Sequence, residues 1–241
     1  MTLRRTVTLA AALVAPLAHL SLEADNSLAD SRVAAAFARY VTQRRSAALW
    51  SLESIDIEAS LPRLAKHATF RAIRRIPPDG DPKYEEVETY GDRMVTREVI
   101  ARYLSAEARA TGLPASSVAM TPANYKFSYK GLVPSADSLV YAFAVTPRKK
   151  ALGLIRGELW LDDSGMPVRE SGYLVRQPSI FVKRVQVMRN LSVRNGVAVE
   201  RLTRLLVDTR ALGRAELAID ERPYESIPGP AAPLKDGGPL R

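Results

Sequence analysis

The chain has 241 residues, 46% of them hydrophobic, with 35 Lys/Arg against 26 Asp/Glu and no cysteine. This composition supports one ordinary core and excludes a disulfide framework, a thiolate zinc site, a cysteine nucleophile and a lipid-modified cysteine. The net charge of +9 is concentrated, because residues 147–214 hold 14 Lys/Arg against 6 Asp/Glu. Such a basic face fits either an anionic partner (phospholipid headgroups, an acidic polymer) or a set of solvated strand arginines. Nucleic acid is not expected as a partner, since the chain carries no stacking-aromatic RNA motif and no helix-turn-helix pattern.

Arg4 and Arg5 precede an uncharged, mostly apolar run, Thr6–Ala18. The run has the length of a secretory signal core and is too short for a bilayer span, which needs roughly 20 apolar residues. Cleavage after Ala24 is favoured over Ala18, where Pro16 would occupy the −3 position. Residues 1–24 are therefore expected to be a signal peptide, with a buried N-terminal helix as the other reading. Residues 25–224 form one expected domain, and the Pro/Gly-rich residues 225–241 an expected disordered tail. With no cysteine to carry a lipid anchor, the expected location is the periplasm, soluble or peripheral.

Asn26–Leu52 reads as a helix with Val33, Phe37 and Tyr40 or Val41 on one face. From Ser54 the period becomes two: Ile55, Ile57, Ala59 and Leu61 alternate with polar residues, as in a half-buried strand. Residues 66–76 and 83–90 read as a hairpin about the Pro77–Asp81 turn. Thr96–Thr111 reads as a second helix capped by Thr96 and stopped by Gly112 and Pro114. Beyond Pro122 the chain is nearly all strand. Tyr125, Phe127 and Tyr129 share a face, as do Leu139, Tyr141, Phe143 and Val145, and further runs follow at 152–161, 168–175, 180–191, 197–207 and 210–219. The expected fold is α+β, mainly β: a large curled antiparallel sheet, an open or half barrel, covered on one side by two helices.

No catalytic signature stands out. There is no GxSxG elbow, HExxH, P-loop or dinucleotide fingerprint. His67 has no acid or nucleophile pattern around it and reads as an exposed or edge residue. Neighbouring carboxylates, as in Asp220-Glu221, point to opposite faces of a strand, which argues against acid–base pairing. No catalytic residue, metal ligand or cofactor is assigned, and a hydrolase with an unrecognised site is kept only as a remote reading.

The C-terminal half carries a more specific pattern: TPANYKF (121–127), VYAF (140–143), TPRKK (146–150), GELWLD (157–162), PVRE (167–170), Pro178-Ser179 and GRAEL (213–217). The GELWLD–PVRE segment reads as two strands about a tight turn, with Trp160 and Arg169 in reach of a cation–π contact. Over residues 30–222, most strongly 121–217, the chain resembles exported bacterial proteins related to the LolA/LolB-like outer-membrane lipoprotein-sorting (lipoprotein carrier) superfamily. The resemblance implies a non-catalytic carrier that holds lipid or lipoprotein acyl chains in an apolar cavity between sheet and helices. On that reading the cavity residues are Tyr125, Phe127, Tyr141, Phe143, Leu159, Leu161 and Phe181, and ordinary core packing is the alternative for each aromatic. Arg148, Lys149 and Lys150 would meet anionic headgroups, or else form a solvated hairpin tip. An envelope interaction or scaffold module with a packed interior is the alternative.

Overall fold

The computed structural model describes residues 31–43, 50–77, 82–111, 115–134, 139–194 and 197–224. The expected signal peptide and C-terminal tail lie outside the described residues.

Ten strands follow one another: β1 (Leu52–Leu61), β2 (Lys66–Arg75), β3 (Lys83–Gly91), β4 (Tyr125–Val133), β5 (Val140–Pro147), β6 (Ile155–Asp162), β7 (Pro167–Leu174), β8 (Val182–Arg194), β9 (Val197–Thr209) and β10 (Arg214–Pro223). They form one sheet in the order β3-β2-β1-β10-β9-β8-β7-β6-β5-β4, antiparallel throughout. The chain starts in the middle of the sheet and moves to the β3 edge. It then crosses to the opposite edge at β4 and returns as a seven-stranded meander, until β10 closes against β1.

Cross-strand register shows that the apolar residues share one face. Val145, Gly157, Gly172, Val187, Leu205, Leu217, Ala59 and Ala68 are successive partners from β5 to β2. Opposed residues in antiparallel strands project to the same side. Each strand therefore contributes to a single inner face, while intervening residues such as Asp56, Arg71, Trp160 and Arg169 point outwards. At Gly157 the inner face is pinched, since a Cβ there would lie 1.9 Å from the Ser171 carbonyl oxygen.

The two longer helices among the described residues pack on this inner face; a short helix, Ala115–Val118, precedes β4. Residues 31–43 (α1) lay Val33, Ala36 and Tyr40 against β4–β6, and residues 93–111 (α2) lay Val95, Val99 and Ile100 against β1, β2 and β10. The expected first helix ran to Leu52, but Leu52 already pairs with Arg75 in β1, where the alternating pattern takes over. Residues 44–49 lie outside the described residues. In α2 the turns over Thr96–Ile100 widen to π-type before the α-helix resumes at Ala101. Its N-cap is Asp92 rather than Thr96: the Asp92 carboxylate accepts from the backbone N–H of Met94 at 2.8 Å and of Val95 at 3.3 Å. Asp92 also pairs with Lys66 at 2.9 Å, so one side chain ties the helix start to β2.

A large antiparallel sheet is what the sequence predicts, but the half barrel is not formed: the sheet is neither closed nor strongly curled. Closure would pair β3 with β4, and each of these has only one neighbour. The buried residues accordingly divide into separate clusters, one under each helix. Both edge strands meet their neighbours through a bulge, at Arg71/Ala72 and at Tyr129/Gly131. Such irregularities discourage further strand addition.

Candidate functional site

An aromatic-rich apolar assembly lies beneath α1. Tyr125 begins β4, Tyr141 and Phe143 belong to β5, and Leu159 and Leu161 to β6. All five are buried together with Val33, Ala36 and Tyr40, and Phe127 packs against them half-buried. Phe37 of α1 sits at the centre of the aromatic set, 5.0 Å from Phe127 and 5.3 Å from Phe143 between ring centroids. The edge-to-face and tilted geometries add to the area buried.

Two polar contacts help to fix α1 in place. Tyr40 donates its hydroxyl to the Met120 carbonyl at 2.7 Å, and Arg39 donates to the Asp163 carbonyl at 2.6 Å. Asp163 in turn accepts from the Tyr141 hydroxyl at 2.9 Å. Gly165, in the β6–β7 turn, lets the helix backbone approach closely. A Cβ there would come within 2.6 Å of the Ala36 carbonyl oxygen and 2.7 Å of the Tyr40 nitrogen, and the glycine has φ +83°. The turn itself is held by Asp162, whose carboxylate accepts from the Ser164 and Met166 N–H groups.

Between the two helices the inner face continues over β6–β9. Ile155, Val185 and Val187 form a third buried group, joined by Leu174, Val182, Leu205 and Val207, and no residue of a described helix belongs to it. Phe181 does not join the six other expected cavity residues. It sits at the turn before β8 and is 60% exposed. The alternation that places Val185 and Val187 inwards is interrupted by a register shift between Val182 and Arg184, so parity does not carry back to Phe181.

A second feature of the inner face went unassigned in the sequence. Arg74 is 1% exposed and donates to the carboxylates of Glu53, Glu107 and Glu221. Arg201 also donates to Glu221, with the Nη2–Oε1 contact at 2.7 Å, and Tyr84 donates to Glu107 at 2.6 Å. The cluster thus joins β1, β2, β3, β9 and β10 to the last turns of α2. Burial pushes the Glu53 carboxyl above the ordinary carboxylate range, aided by the Glu221 charge and only partly opposed by Arg74. For Glu221 burial acts in the same direction, but hydrogen bonds and charge from Arg201 and Arg74 outweigh it and hold its carboxyl low. Desolvation lowers the affinity of Arg74 for its proton, and the three carboxylates more than restore it. The signal was present in the sequence as parity: Glu53, Arg74 and Glu221 fall in register with the inward Ile55, Ala72 and Ile219.

On the outer face the expected hairpin pair is formed, with the Arg169 guanidinium 4.6 Å from the Trp160 ring centroid. A pocket of about 210 Å³ opens beside it, lined by Val133, Pro134, Val140, Trp160, Arg169 and Asn190 among others. It lies across the sheet from both helices. Arg148, Lys149 and Lys150 are exposed in the β5–β6 turn, and Arg148 donates to the Pro122 carbonyl at 2.8 Å. His67 is exposed in β2. Asp220 and Glu221 face opposite sides of β10, Asp220 pairing with Arg222 at 2.5 Å. No helix among the described residues is long and apolar enough to cross a membrane, and no group of three or more potential metal-binding side chains occurs among them.

No known protein family and no curated protein matches the sequence. Among solved structures, a LolA superfamily protein from Nitrosomonas europaea is 12% identical, with 79% of this chain and 93% of that one covered at a TM-score of 0.33. MucB in complex with MucA(peri) is also 12% identical, with 77% and 92% covered at a TM-score of 0.23. At these scores no residue role passes from either protein to this one. The chain is structurally similar, at a distance, to a LolA superfamily protein and to MucB.

Proposed function

We propose that this chain is an exported, non-catalytic, carrier-like protein of the periplasm, which holds a lipid or lipoprotein acyl chain on the inner sheet face. The observation that carries the reading is the division of that face. One apolar surface runs across the sheet, the two helices cover its ends, and the group between them contains no helical residue. In this reading α1 is the movable cover. Tyr125, Phe127, Tyr141, Phe143, Leu159 and Leu161 meet the ligand when α1 lifts, and Arg148, Lys149 and Lys150 meet its anionic headgroup or the membrane it comes from.

The energies are compatible with exchange. Burying Val33, Phe37 and Tyr40 contributes about 6 kcal/mol at roughly 2 kcal/mol per side chain. An acyl chain recovers the same amount by burying about eight methylenes at ~0.8 kcal/mol each.

Titration with a fluorescent polyene fatty acid tests this, together with mass spectrometry of lipid extracted from the purified protein. The wild type should bind at micromolar concentrations. Gly165→Val, whose side chain wedges against the α1 backbone, should bind several-fold more tightly. Absence of probe binding in both proteins, with no co-purifying acyl lipid, would overturn the carrier reading. That result would favour the second reading, an envelope interaction or scaffold module, for which the present burial of Tyr141, Phe143, Leu159 and Leu161 speaks.

A further inference from the structure

The strand connections sort by charge. Register places the β1–β2, β5–β6, β7–β8 and β9–β10 turns at one end of the sheet, where Leu61 pairs with Lys66, Ile155 with Leu174, Val182 with Thr209 and Ser60 with Glu216. Those turns contain Arg63, Arg148, Lys149, Lys150, Arg176 and Arg210 and no Asp or Glu. All six basic residues are exposed. Among the described residues of the opposite end, the β6–β7 turn contains Asp163 and no Lys or Arg. The turns at the first end therefore form a basic rim along the strand direction.

The basic end also carries two strongly exposed apolar side chains. Ile180 is 79% exposed and Phe181 is 60% exposed, side by side in the β7–β8 turn. Their backbone is nevertheless held: Arg210 donates its N–H to the Phe181 carbonyl at 2.9 Å and its Nε to the Ile180 carbonyl at 2.8 Å. On the other side, the Val175 N–H donates to the Leu154 carbonyl at 2.9 Å and ties this turn to β5–β6, where Leu152 is also exposed. Three neighbouring turns thus form one continuous rim, in which a fixed apolar pair projects among exposed cations.

From this geometry we infer that the basic end is a docking surface for an anionic lipid bilayer, with Ile180 and Phe181 entering the headgroup–acyl boundary. The charges fit acidic headgroups, and the projecting apolar pair fits a lipid surface rather than a soluble polyanion, which offers it no apolar phase. The inference deepens the proposed headgroup contact at Arg148–Lys150 and does not depend on an acyl chain being held beneath α1.

The chain has no cysteine, so one introduced thiol reports on one place. The full-length protein carrying Ser179→Cys, labelled with an environment-sensitive fluorophore, is titrated with phosphatidylglycerol–phosphatidylcholine vesicles and with phosphatidylcholine alone. Val197→Cys, at the opposite end, is the control. The expected result is a blue shift at 179 on anionic vesicles only, with none at 197. Combining Lys149→Glu with Lys150→Glu should raise the lipid midpoint more than tenfold, at about fivefold per basic residue. Ile180→Ser with Phe181→Ser should abolish the blue shift. No shift at 179, an equal shift at 197, or an equal response to soluble polyglutamate would overturn the inference. The acyl-probe titration reads the face beneath α1 and the label reads the rim, so either result can fail without the other.

Discussion

Replacing Arg74 by methionine tests the account of the buried charges. The guanidinium is 1% exposed and is shared by Glu53, Glu107 and Glu221. Removing it leaves Glu53 without a cationic partner and Glu221 with Arg201 alone. Breaking a buried ion pair from one side costs about 3–5 kcal/mol, because the remaining charge stays desolvated. Arg74→Met should therefore lose about 4 kcal/mol at neutral pH and melt roughly 8–16 °C lower. The pH dependence separates this cause from lost packing. In the wild type Glu221 has a depressed carboxyl pKa, so its contribution is present above the unfolded value near 4.5 and fades as pH falls through the folded one. Glu53, with a raised pKa, acts in the opposite direction. In the variant Glu53 loses the cation that opposed its raised pKa and Glu221 loses part of what holds its own low, so the penalty is relieved as the carboxyls take up protons. The gap between wild type and variant should narrow between neutral pH and about pH 5. Urea unfolding followed by circular dichroism at several pH values measures it. A loss below about 1 kcal/mol, or a gap constant with pH, would refute the reasoning.

Two further substitutions probe the frame. Asp92→Ala removes both the α2 cap and the Lys66 pair, and should cost about 1–2 kcal/mol in the same unfolding assay, whereas Thr96→Ala should cost less. Gly157→Ala places a Cβ 1.9 Å from the Ser171 carbonyl oxygen. It should destabilise by about 3 kcal/mol or yield little soluble protein, as judged by thermal melting and expression.

Local pattern made most of the sheet legible. Alternation identified β1 through Ile55, Ile57, Ala59 and Leu61, and turn residues separated the meander strands. The GELWLD–PVRE hairpin was readable down to the contact between Trp160 and Arg169. What escaped were features set by distant partners. Pairing of β1 with β10 leaves no local mark, and the single core expected from a curled sheet became several clusters. Asp92 capped α2 because the helix begins a turn earlier than its apolar stripe. Six of the seven expected cavity residues share the inner face because parity is a local property. Phe181 departs where a bulge breaks that parity, and the sequence has no strong signal for a bulge. The charge cluster is marked in the sequence only by parity, since Glu53, Arg74 and Glu221 occupy inward positions at strand ends.

The place of β1 in the sheet has a consequence for how the chain reaches its native state. The first strand made is flanked by the second and the last, with Ala59 opposite Leu217. During synthesis the β1–β3 unit has no route into the meander until residues 214–223 have emerged. Contacts of such sequence separation are entropically slow to form. The nascent protein therefore stays open until β10 has been made, and its edges are unprotected throughout that interval.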